Sequence, residues 1–419
     1  MQPLLFIIYL ILFCWLITRI PFYKNTPVNR WLLIAIFLLK IVAGVAYALY
    51  YAQPANIKTA DTWNYYQSSL TETDWLLHDP IAFVKDLFHH SYNSSGNLFN
   101  NQASYWNDLK SNSIIKLIAV TNVFTGKSYY VNIIFFNFLY LFGPVALYRL
   151  ATTYYPQQKI ILVLFVFLLP SFLFWCSGIH KDGLIFSAMM LTVYSTYKQL
   201  QRGRILVAHC LLILLYSIVL FALRNFVLLL LIPALAAWIA SEKYPSRKGW
   251  IFSSTYLLCM IVFFTAKYIH PALNFPAYVV EKQAEFNELS GTSRVTLPPL
   301  TASPQSFAAF FPYAADMAFL QPHWNDVKNT YYLASAAENT LMLLLIIAGA
   351  VTVIRYKKLL AFTLFLIFLS CSLLLLCGYT VTFVGAIVRY KSIATPLLGT
   401  AVCMLIPGVS RKHNNILCK

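Results

Sequence analysis

The chain has 419 residues, of which 59% are hydrophobic and 11% are charged. A soluble protein of this length needs a larger polar surface, so the composition excludes a soluble fold and favours an integral membrane protein. The formal net charge of +17 would suit nucleic acid, but the cations are placed as membrane topology requires. No nucleic-acid partner is therefore predicted, and the expected surroundings are membrane lipids.

Apolar runs long enough to cross a bilayer recur along the chain and predict an all-α, polytopic transmembrane protein. The chain is predicted to form one integral-membrane domain, 1–419. Eleven membrane helices are predicted, at roughly 3–20, 30–51, 128–150, 159–177, 183–200, 205–223, 225–241, 250–269, 339–355, 359–378 and 385–407.

The alternate connections between these spans are strongly cationic on one side. They hold one acid, Glu242, against seventeen cations: Arg19, Lys24, Arg30, Arg149, Lys159, Lys198, Arg202, Arg204, Lys243, Arg247, Lys248, Arg355, Lys357, Lys358, Arg411, Lys412 and Lys419. Because short cytoplasmic loops are enriched in Lys and Arg, this side is predicted to be cytoplasmic, with the N-terminus outside and the C-terminus inside.

Two long segments, 52–127 and 268–338, fall on the predicted extracytoplasmic side. Each is expected to carry short amphipathic helices, and the apolar stretch "SIIKLIAVTNVFTG" in the first is expected to lie in the membrane interface. Loops of this size are usually functional. The eight cysteines lie almost wholly within apolar spans and form no CxxC pair, so neither a disulfide framework nor a zinc site is predicted.

Asp61 stands in the first loop within "ADTWNYYQ", ten residues after the second span. A carboxylate just above the membrane could act as a general base toward an acceptor hydroxyl. The alternative is an N-cap for a short helix over 62–70, because Asp is favoured at that position. The two roles are compatible.

The turn "WCSGIHKDGLI" between the fourth and fifth spans places His180, Lys181 and Asp182 between two glycines. Glycines allow close backbone approach, and a lysine beside the exposed amides of a helix start would suit a phosphate. The alternative is a polar hairpin in which Lys181 pairs with Asp182. A metal site built on His180 and Asp182 alone is not expected.

Cations also stand at the extracytoplasmic ends of helices, where the topology does not explain them. Arg224 lies in the tight turn "FALRNF", and Arg389 and Lys391 lie in "GAIVRYKSIATP". Such cations are costly near a bilayer unless they meet an anion, and a lipid phosphate is the natural partner. The alternative is snorkelling toward lipid headgroups. Glu338, at the predicted start of the ninth span, is either a cap or a second carboxylate of the site.

These segments resemble membrane glycosyltransferases of the GT-C superfamily. Asp61 and Tyr65 stand in a similar D-x-x-x-Y setting, and "LPSFLFWCSGIHKDGLIF" looks like a P-S-x-x-F-W-x-S-x-x-x-K-[DE] stretch of bacterial envelope-polysaccharide membrane proteins. The segment "FFP…PHW…AAEN" and the basic-aromatic "RYKSIATP", with Tyr390, are similar to theirs too.

The resemblance implies a transferase in the bacterial inner membrane that uses a polyprenyl-phosphate sugar donor and a glycan or lipid acceptor. Lys181, Arg389, Lys391 and Arg224 would hold the phosphate, and Asp61 would accept the proton of the attacking hydroxyl. No acidic pair stands beside Asp61, so no cofactor is assigned and a divalent metal is left open.

Two other classes compete with this interpretation. An O-antigen-type polymerase or ligase would rely on arginine and histidine in the outer loops, where the second loop offers Arg294, His270 and His323. A flippase or transporter would carry internal repeats and midplane charges. No repeat is visible, and Lys40 is the clear midplane charge, without a partner evident in the sequence.

Overall fold

The computed structural model describes residues 2–54, 56–57, 60–89, 91–92, 104–203, 205–289, 293–327, 330–356 and 359–406. Within these ranges the chain is helical, without a strand, apart from an isolated bridge between Arg294 and Phe383. Several of the predicted cytoplasmic cations lie outside the described residues: Arg204, Lys357, Lys358, Arg411, Lys412 and Lys419.

The α-helices of the described ranges are numbered in chain order. They are α1 Gln2–Arg19, α2 Pro21–Lys24, α3 Arg30–Ala52, α4 Asp61–His78, α5 Pro80–Lys85, α6 Tyr105–Thr125, α7 Tyr129–Tyr154, α8 Lys159–Phe167, α9 Pro170–Trp175, α10 Lys181–Arg202, α11 Val207–Lys243, α12 Lys248–Thr265, α13 Phe275–Glu288, α14 Pro304–Ala315, α15 Thr330–Tyr356, α16 Ala361–Thr380, α17 Val384–Lys391 and α18 Thr395–Leu405.

Seven helical stretches of the described chain are long and apolar enough to cross a membrane, and they belong to α1, α3, α7, α11, α12, α15 and α16. The protein is therefore a helical, membrane-embedded protein. Two of the eleven predicted spans form the single long helix α11, and two others are broken, into α8 with α9 and into α17 with α18. The remaining predicted span, 183–200, is α10. This helix is more polar than the seven apolar stretches, and thirteen of its residues are buried among other helices. The count of eleven membrane crossings stays a prediction.

The charged residues distinguish the two ends of the helical bundle. We call the end that carries Arg149, Lys198 and Lys243 the basic end. We call the opposite end, which carries Asp61 and Asp182, the acidic end. Helix α10 connects the two ends, beginning with Lys181 and finishing at Gly203, whose φ of +60° stops the helix in the left-handed conformation.

Helix α11 doubles back at Arg224, whose φ and ψ are not helical. At 37 residues it would be about 55 Å long if straight, well beyond one bilayer core. Both of its termini lie at the basic end: Gln199 of α10 hydrogen-bonds Leu206 at one, and Tyr154 of α7 hydrogen-bonds Glu242 at the other. Arg224 is therefore the tip of two antiparallel arms, as the predicted tight turn requires.

Helices α4 and α6 of the first long loop pack as an antiparallel pair at the acidic end. Asn122 of α6 donates to Ser69 and Thr73 of α4, and Lys116 forms ion pairs with Glu72 and Asp86. These buried contacts make the loop a structured cap. The apolar stretch predicted to lie in the interface is the second half of α6, which begins at the Ser104 cap and ends at Gly126 with φ +62°.

The turn between α9 and α10 is recessed within the bundle rather than exposed above it. A side chain at Gly44 of α3 would collide with the Ser177 carbonyl, so the two backbones touch there. Gly44 lies eight residues before the end of α3, which places Ser177 about 12 Å below that end. Lys40, buried one turn deeper in α3, donates to the Cys176 carbonyl at 2.8 Å and to Ser177 Oγ at 2.9 Å. The lysine that had no evident partner in the sequence thus holds this turn at depth.

Candidate functional site

Five titratable or cationic side chains meet at the acidic end of the bundle, and we call them the charged cluster: Asp61, His180, Asp182, Arg224 and Arg389. They come from the start of α4, the start of α10, the tip of α11 and the helix α17. The cluster therefore joins parts of the chain that are as far as 328 positions apart.

Asp182 is the centre of the charged cluster, and its side chain is fully buried. Its Oδ2 lies 2.9 Å from His180 Nδ1 and 3.3 Å from Arg389 Nε, and its Oδ1 forms an ion pair with Arg224 Nη2 at 3.0 Å. A buried carboxylate is tolerated when it is paired in this way. The predicted alternative, in which Asp182 pairs with Lys181, is wrong, because the partners of Asp182 are these three residues.

Arg389 connects the buried centre of the cluster to its exposed edge. Its Nη2 donates to Asp61 Oδ2 at 2.9 Å and also contacts His180 Nε2. His180 lies between the two carboxylates, with Nδ1 2.9 Å from Asp182 Oδ2 and Nε2 3.5 Å from Asp61 Oδ2. His180 therefore contacts both carboxylates and the guanidinium.

Asp61 is the exposed member of the cluster, with 41% of its side chain accessible. Burial pushes the pKa of this carboxyl upward, but the hydrogen bond from His180 and the positive charge of Arg389 outweigh burial and hold its pKa well below its usual value. Asp61 is also the first residue of α4, whose N-cap is Ala60 without a side-chain cap. The N-cap interpretation of Asp61 is therefore wrong: its carboxylate is used for the contact with Arg389.

Positive charge exceeds negative charge around the cluster. Lys181 lies next to it, with Nζ 5.9 Å from the centre of the Tyr65 ring. With Arg224 and Arg389 it gives three cations against two carboxylates. Lys110 of α6 adds a fourth nearby, and its burial together with the charges of Lys282 and Arg224 lowers its pKa to about 8. An anionic ligand would relieve this excess.

Aromatic rings surround the cluster. Tyr390 lies under Arg224, whose Cζ is 4.6 Å from the ring centre, and Tyr65 lies 6.1 Å from the ring of His180. Tyr47 and Trp175 pack together with ring centres 5.8 Å apart beside the recessed turn. Gly178 leaves the space for the Tyr47 ring, because a Cβ at this position would overlap it. Such rings provide flat apolar surfaces next to charged groups.

No family model matches the chain, and neither the curated proteins nor the solved structures include a significant match.

Two of the predicted site residues lie apart from the cluster, in a second buried polar group. Lys391 donates to the Gln321 carbonyl and to Asn339 Oδ1, both at 2.6 Å. Glu338 accepts from the backbone N–H of Ser171 at 2.8 Å and from its hydroxyl at 2.6 Å. Glu338 is thus a cap for the start of α9. It lies within α15, which begins at Thr330, so the prediction that it opens this helix is wrong.

The three residues on which a polymerase interpretation would depend do not join one another. Arg294 donates to the carbonyls of Asn287 and Leu289, His323 pairs with Asp316 at 3.1 Å, and His270 caps a short helical turn through Ala272. In the described chain, Arg294, His323 and His270 therefore contact different parts of the second loop and form no common site.

The charged cluster is poorly suited to a divalent metal. Its two carboxylates are already engaged by guanidinium groups, and a metal ion would be repelled by Arg224, Arg389 and Lys181. Among the described residues, no group of three or more His, Cys, Asp or Glu side chains is arranged to hold a metal. We therefore derive no step through a metal ion.

The sequence did not single out Lys110 as a member of this region. It stands in the polar stretch "WNDLKSN", where a lysine is indistinguishable from a solvated loop charge. The packing of α6 against α11, seen in the contact of the Trp106 and Phe221 rings at 5.6 Å, brings it to the cluster. Taken together, the cluster can bind an anion through its cations and can accept a proton at Asp61.

Proposed function

We propose that the protein is an integral-membrane glycosyltransferase that moves a sugar from a polyprenyl-phosphate-linked donor to a glycan or lipid acceptor. The observation that carries this proposal is the contact between Asp61 and Arg389, at the exposed edge of a cluster with excess positive charge. A carboxylate able to take a proton and cations able to hold a phosphate are the two requirements of this transfer.

The proposal includes an orientation in the membrane. The basic end would face the cytoplasm, in line with the excess of Lys and Arg in its connections, and the acidic end would face the opposite side of a bacterial inner membrane. The N-terminus would then lie outside and the C-terminus inside. The donor would reach the recessed turn at Ser177 from the outer leaflet, because that turn lies about 12 Å below the end of α3.

Arg389, Arg224 and Lys181 would hold the donor phosphate. Arginine binds phosphate through two parallel N–H donors, whereas lysine acts as a point charge. Arg389 is the first candidate because 18% of its side chain is accessible, whereas only 5% of the Arg224 side chain is accessible. Arg224 would then set the position of Asp182 and, through it, of His180 and Arg389. Tyr65 and Tyr390 would offer their faces to the sugar.

In the transfer step, the acceptor hydroxyl oxygen attacks the anomeric carbon of the donor. Asp61 takes the hydroxyl proton, the bond between the anomeric carbon and the phosphate oxygen breaks, and the leaving polyprenyl phosphate keeps the electron pair. The configuration of the sugar is inverted. When the phosphate takes the N–H donors of Arg389, Asp61 loses its cationic partner and its pKa rises from its depressed value, so donor binding makes Asp61 a better base.

The first test compares Asp61→Asn with Asp74→Asn. Both carboxylates belong to α4 and both pair with a cation, but Asp74 pairs with the exposed Lys127 at 2.5 Å, away from the cluster. Losing a general base costs about 10²–10⁴-fold in rate. Asp61→Asn should therefore remove the glycan product and let the lipid-linked precursor accumulate, measured by mass spectrometry of envelope glycans and lipid extracts, whereas Asp74→Asn should leave both unchanged. Unaltered glycans in a well-expressed Asp61→Asn protein would refute the assignment.

The second test concerns the phosphate. Lys181→Gln should weaken donor binding and raise the donor KM by about tenfold, since a hydrogen bond to a charged group contributes roughly 1.5–3 kcal/mol. Lys127→Gln removes a lysine from the same end and should leave KM within twofold of the wild type. If the precursor instead accumulates on the cytoplasmic leaflet when Asp61 or Lys181 is changed, a flippase is the better interpretation.

A further inference from the structure

A polar cavity lies at the basic end, far from the charged cluster. It has a volume of about 340 Å³, within the range of about 300–1,000 Å³ that ligand pockets occupy. It opens between the end of α7, the beginning of α8 and the end of α10, and its lining includes Arg149, Thr152, Lys159, Tyr194 and Lys198.

The cations of this cavity have no acidic counterpart in the described part of the chain. Among the described residues, no carboxylate lies within ion-pair distance of Arg149, Lys159 or Lys198. The acid predicted for this side, Glu242, is engaged elsewhere, by the Tyr154 hydroxyl at 3.3 Å and by Trp238 Nε1 at 3.0 Å. The cavity therefore concentrates positive charge.

The cations are also held in position rather than extended freely into solvent. The Arg149 guanidinium donates to the Phe22 carbonyl at 3.0 Å and lies 5.1 Å from the centre of the Tyr194 ring. Lys198 Nζ lies 5.5 Å from the same ring and donates to Gln201 at 3.2 Å. One Nη of Arg149 is used by the carbonyl, and its other donors remain for a ligand.

We propose that this cavity binds a phosphate group. Its chemistry is that of basic pockets between membrane helices that receive the phosphate of anionic lipids. Arg149 would bind the phosphate oxygens bidentately, Lys198 would add a second charge, and the exposed Lys159 would close the mouth. The site is separate from the charged cluster, and its occupation does not depend on the transferase proposal.

The bound phosphate group could belong to a lipid headgroup or to a soluble phosphate compound. Two experimental arms distinguish these sources. Native mass spectrometry of the purified full chain would measure retention of phosphatidylglycerol against phosphatidylcholine. Isothermal titration with glycerol 3-phosphate would measure the soluble source. Binding of phosphatidylglycerol alone identifies a headgroup site, and binding of glycerol 3-phosphate identifies a site for a soluble ligand. Both results support a phosphate site.

The variants that test the cavity are Arg149→Gln and Lys198→Gln, with Arg247→Gln as the matched control. Arg247 is an exposed cation at the same end that does not line the cavity. We expect each cavity variant to lose about tenfold in affinity for the bound probe and the control to change less than twofold. Equal binding in all three variants, or no binding of either probe to the wild type, would overturn the proposal.

A measurement on the unaltered protein covers the case in which the cavity variants fail to fold. A photoreactive phosphatidylglycerol and a photoreactive glycerol phosphate would be crosslinked to the wild type and the labelled peptides identified. Labels should concentrate on 149–159 and 194–201. Labelling spread evenly over the lipid-facing helices would contradict the site.

Discussion

Replacing Asp182 by asparagine tests how much the charged cluster contributes to stability. Asp182 is fully buried and has two guanidinium groups and a histidine as partners. Asparagine keeps the shape of the side chain but removes the negative charge, which leaves Arg224 without its carboxylate and Arg389 with Asp61 alone. Breaking a buried ion pair by removing one partner costs about 3–5 kcal/mol. The free energy of unfolding should fall by this amount.

The assay is thermal unfolding of the detergent-solubilised protein. With a shift of about 2 °C per kcal/mol for a large chain, Asp182→Asn should lower the Tm by roughly 6–10 °C. The control is Asp74→Asn, which breaks the exposed pair with Lys127 and should cost at most about 1 kcal/mol.

A double variant checks the cause of the loss. Adding Arg224→Met to Asp182→Asn removes a buried cation that has lost its partner, so the pair of changes should cost less than the sum of the two single changes. A Tm for Asp182→Asn within about 1 °C of the control, or strict additivity with Arg224→Met, would refute the reasoning.

Two further predictions concern local packing and protonation. Gly178→Ala places a methyl group against the buried Tyr47 ring and should destabilise the protein by about 1–3 kcal/mol or more. Gly249→Ala, where the space is open, should not destabilise it. Thermal unfolding of the two variants measures the difference. The depressed pKa of Asp61 means that its contribution to stability is fully present above the ordinary pKa of about 3.9 and is lost only as pH falls through the lower folded-state value. Infrared difference spectra against Asp61→Asn should therefore show no protonated Asp61 carboxyl at pH 4, and such a band would contradict the contact with Arg389.

The residues of the charged cluster could be found from sequence because charge is expensive near a bilayer. Arg224 and Arg389 break the topological charge rule, and Asp61 and Asp182 are acids at predicted helix boundaries. What the sequence could not supply is which of them touch. Two partners of Asp182 come from the distant helices α11 and α17 and the third, His180, precedes α10, whereas the neighbouring Lys181 was the nearer candidate along the chain.

The separation of Lys391 from Arg389 shows a second limit. The two cations are two positions apart on α17, and side chains two positions apart on a helix face different directions. Arg389 faces the cluster, and Lys391 faces Asn339 and the Gln321 carbonyl. Which face meets which neighbour is decided by the packing of α17 against α15 and the second loop.

The 328 positions between Asp61 and Arg389 also have a consequence for biogenesis. At a synthesis rate of about 5–20 residues per second, Asp61 emerges roughly 15–65 s before Arg389. During this interval Asp182 and Arg224 can already pair, because α10 and α11 are neighbours in the chain, but Asp61 has no cation from α17. The contacts between α4 and α6, and the hydrogen bond from Thr62 to the Ile179 carbonyl at 2.8 Å, do not involve α17. The insertion of α17 then adds Arg389 to the site. A nascent chain released before α17 would lack the guanidinium that contacts both Asp61 and Asp182.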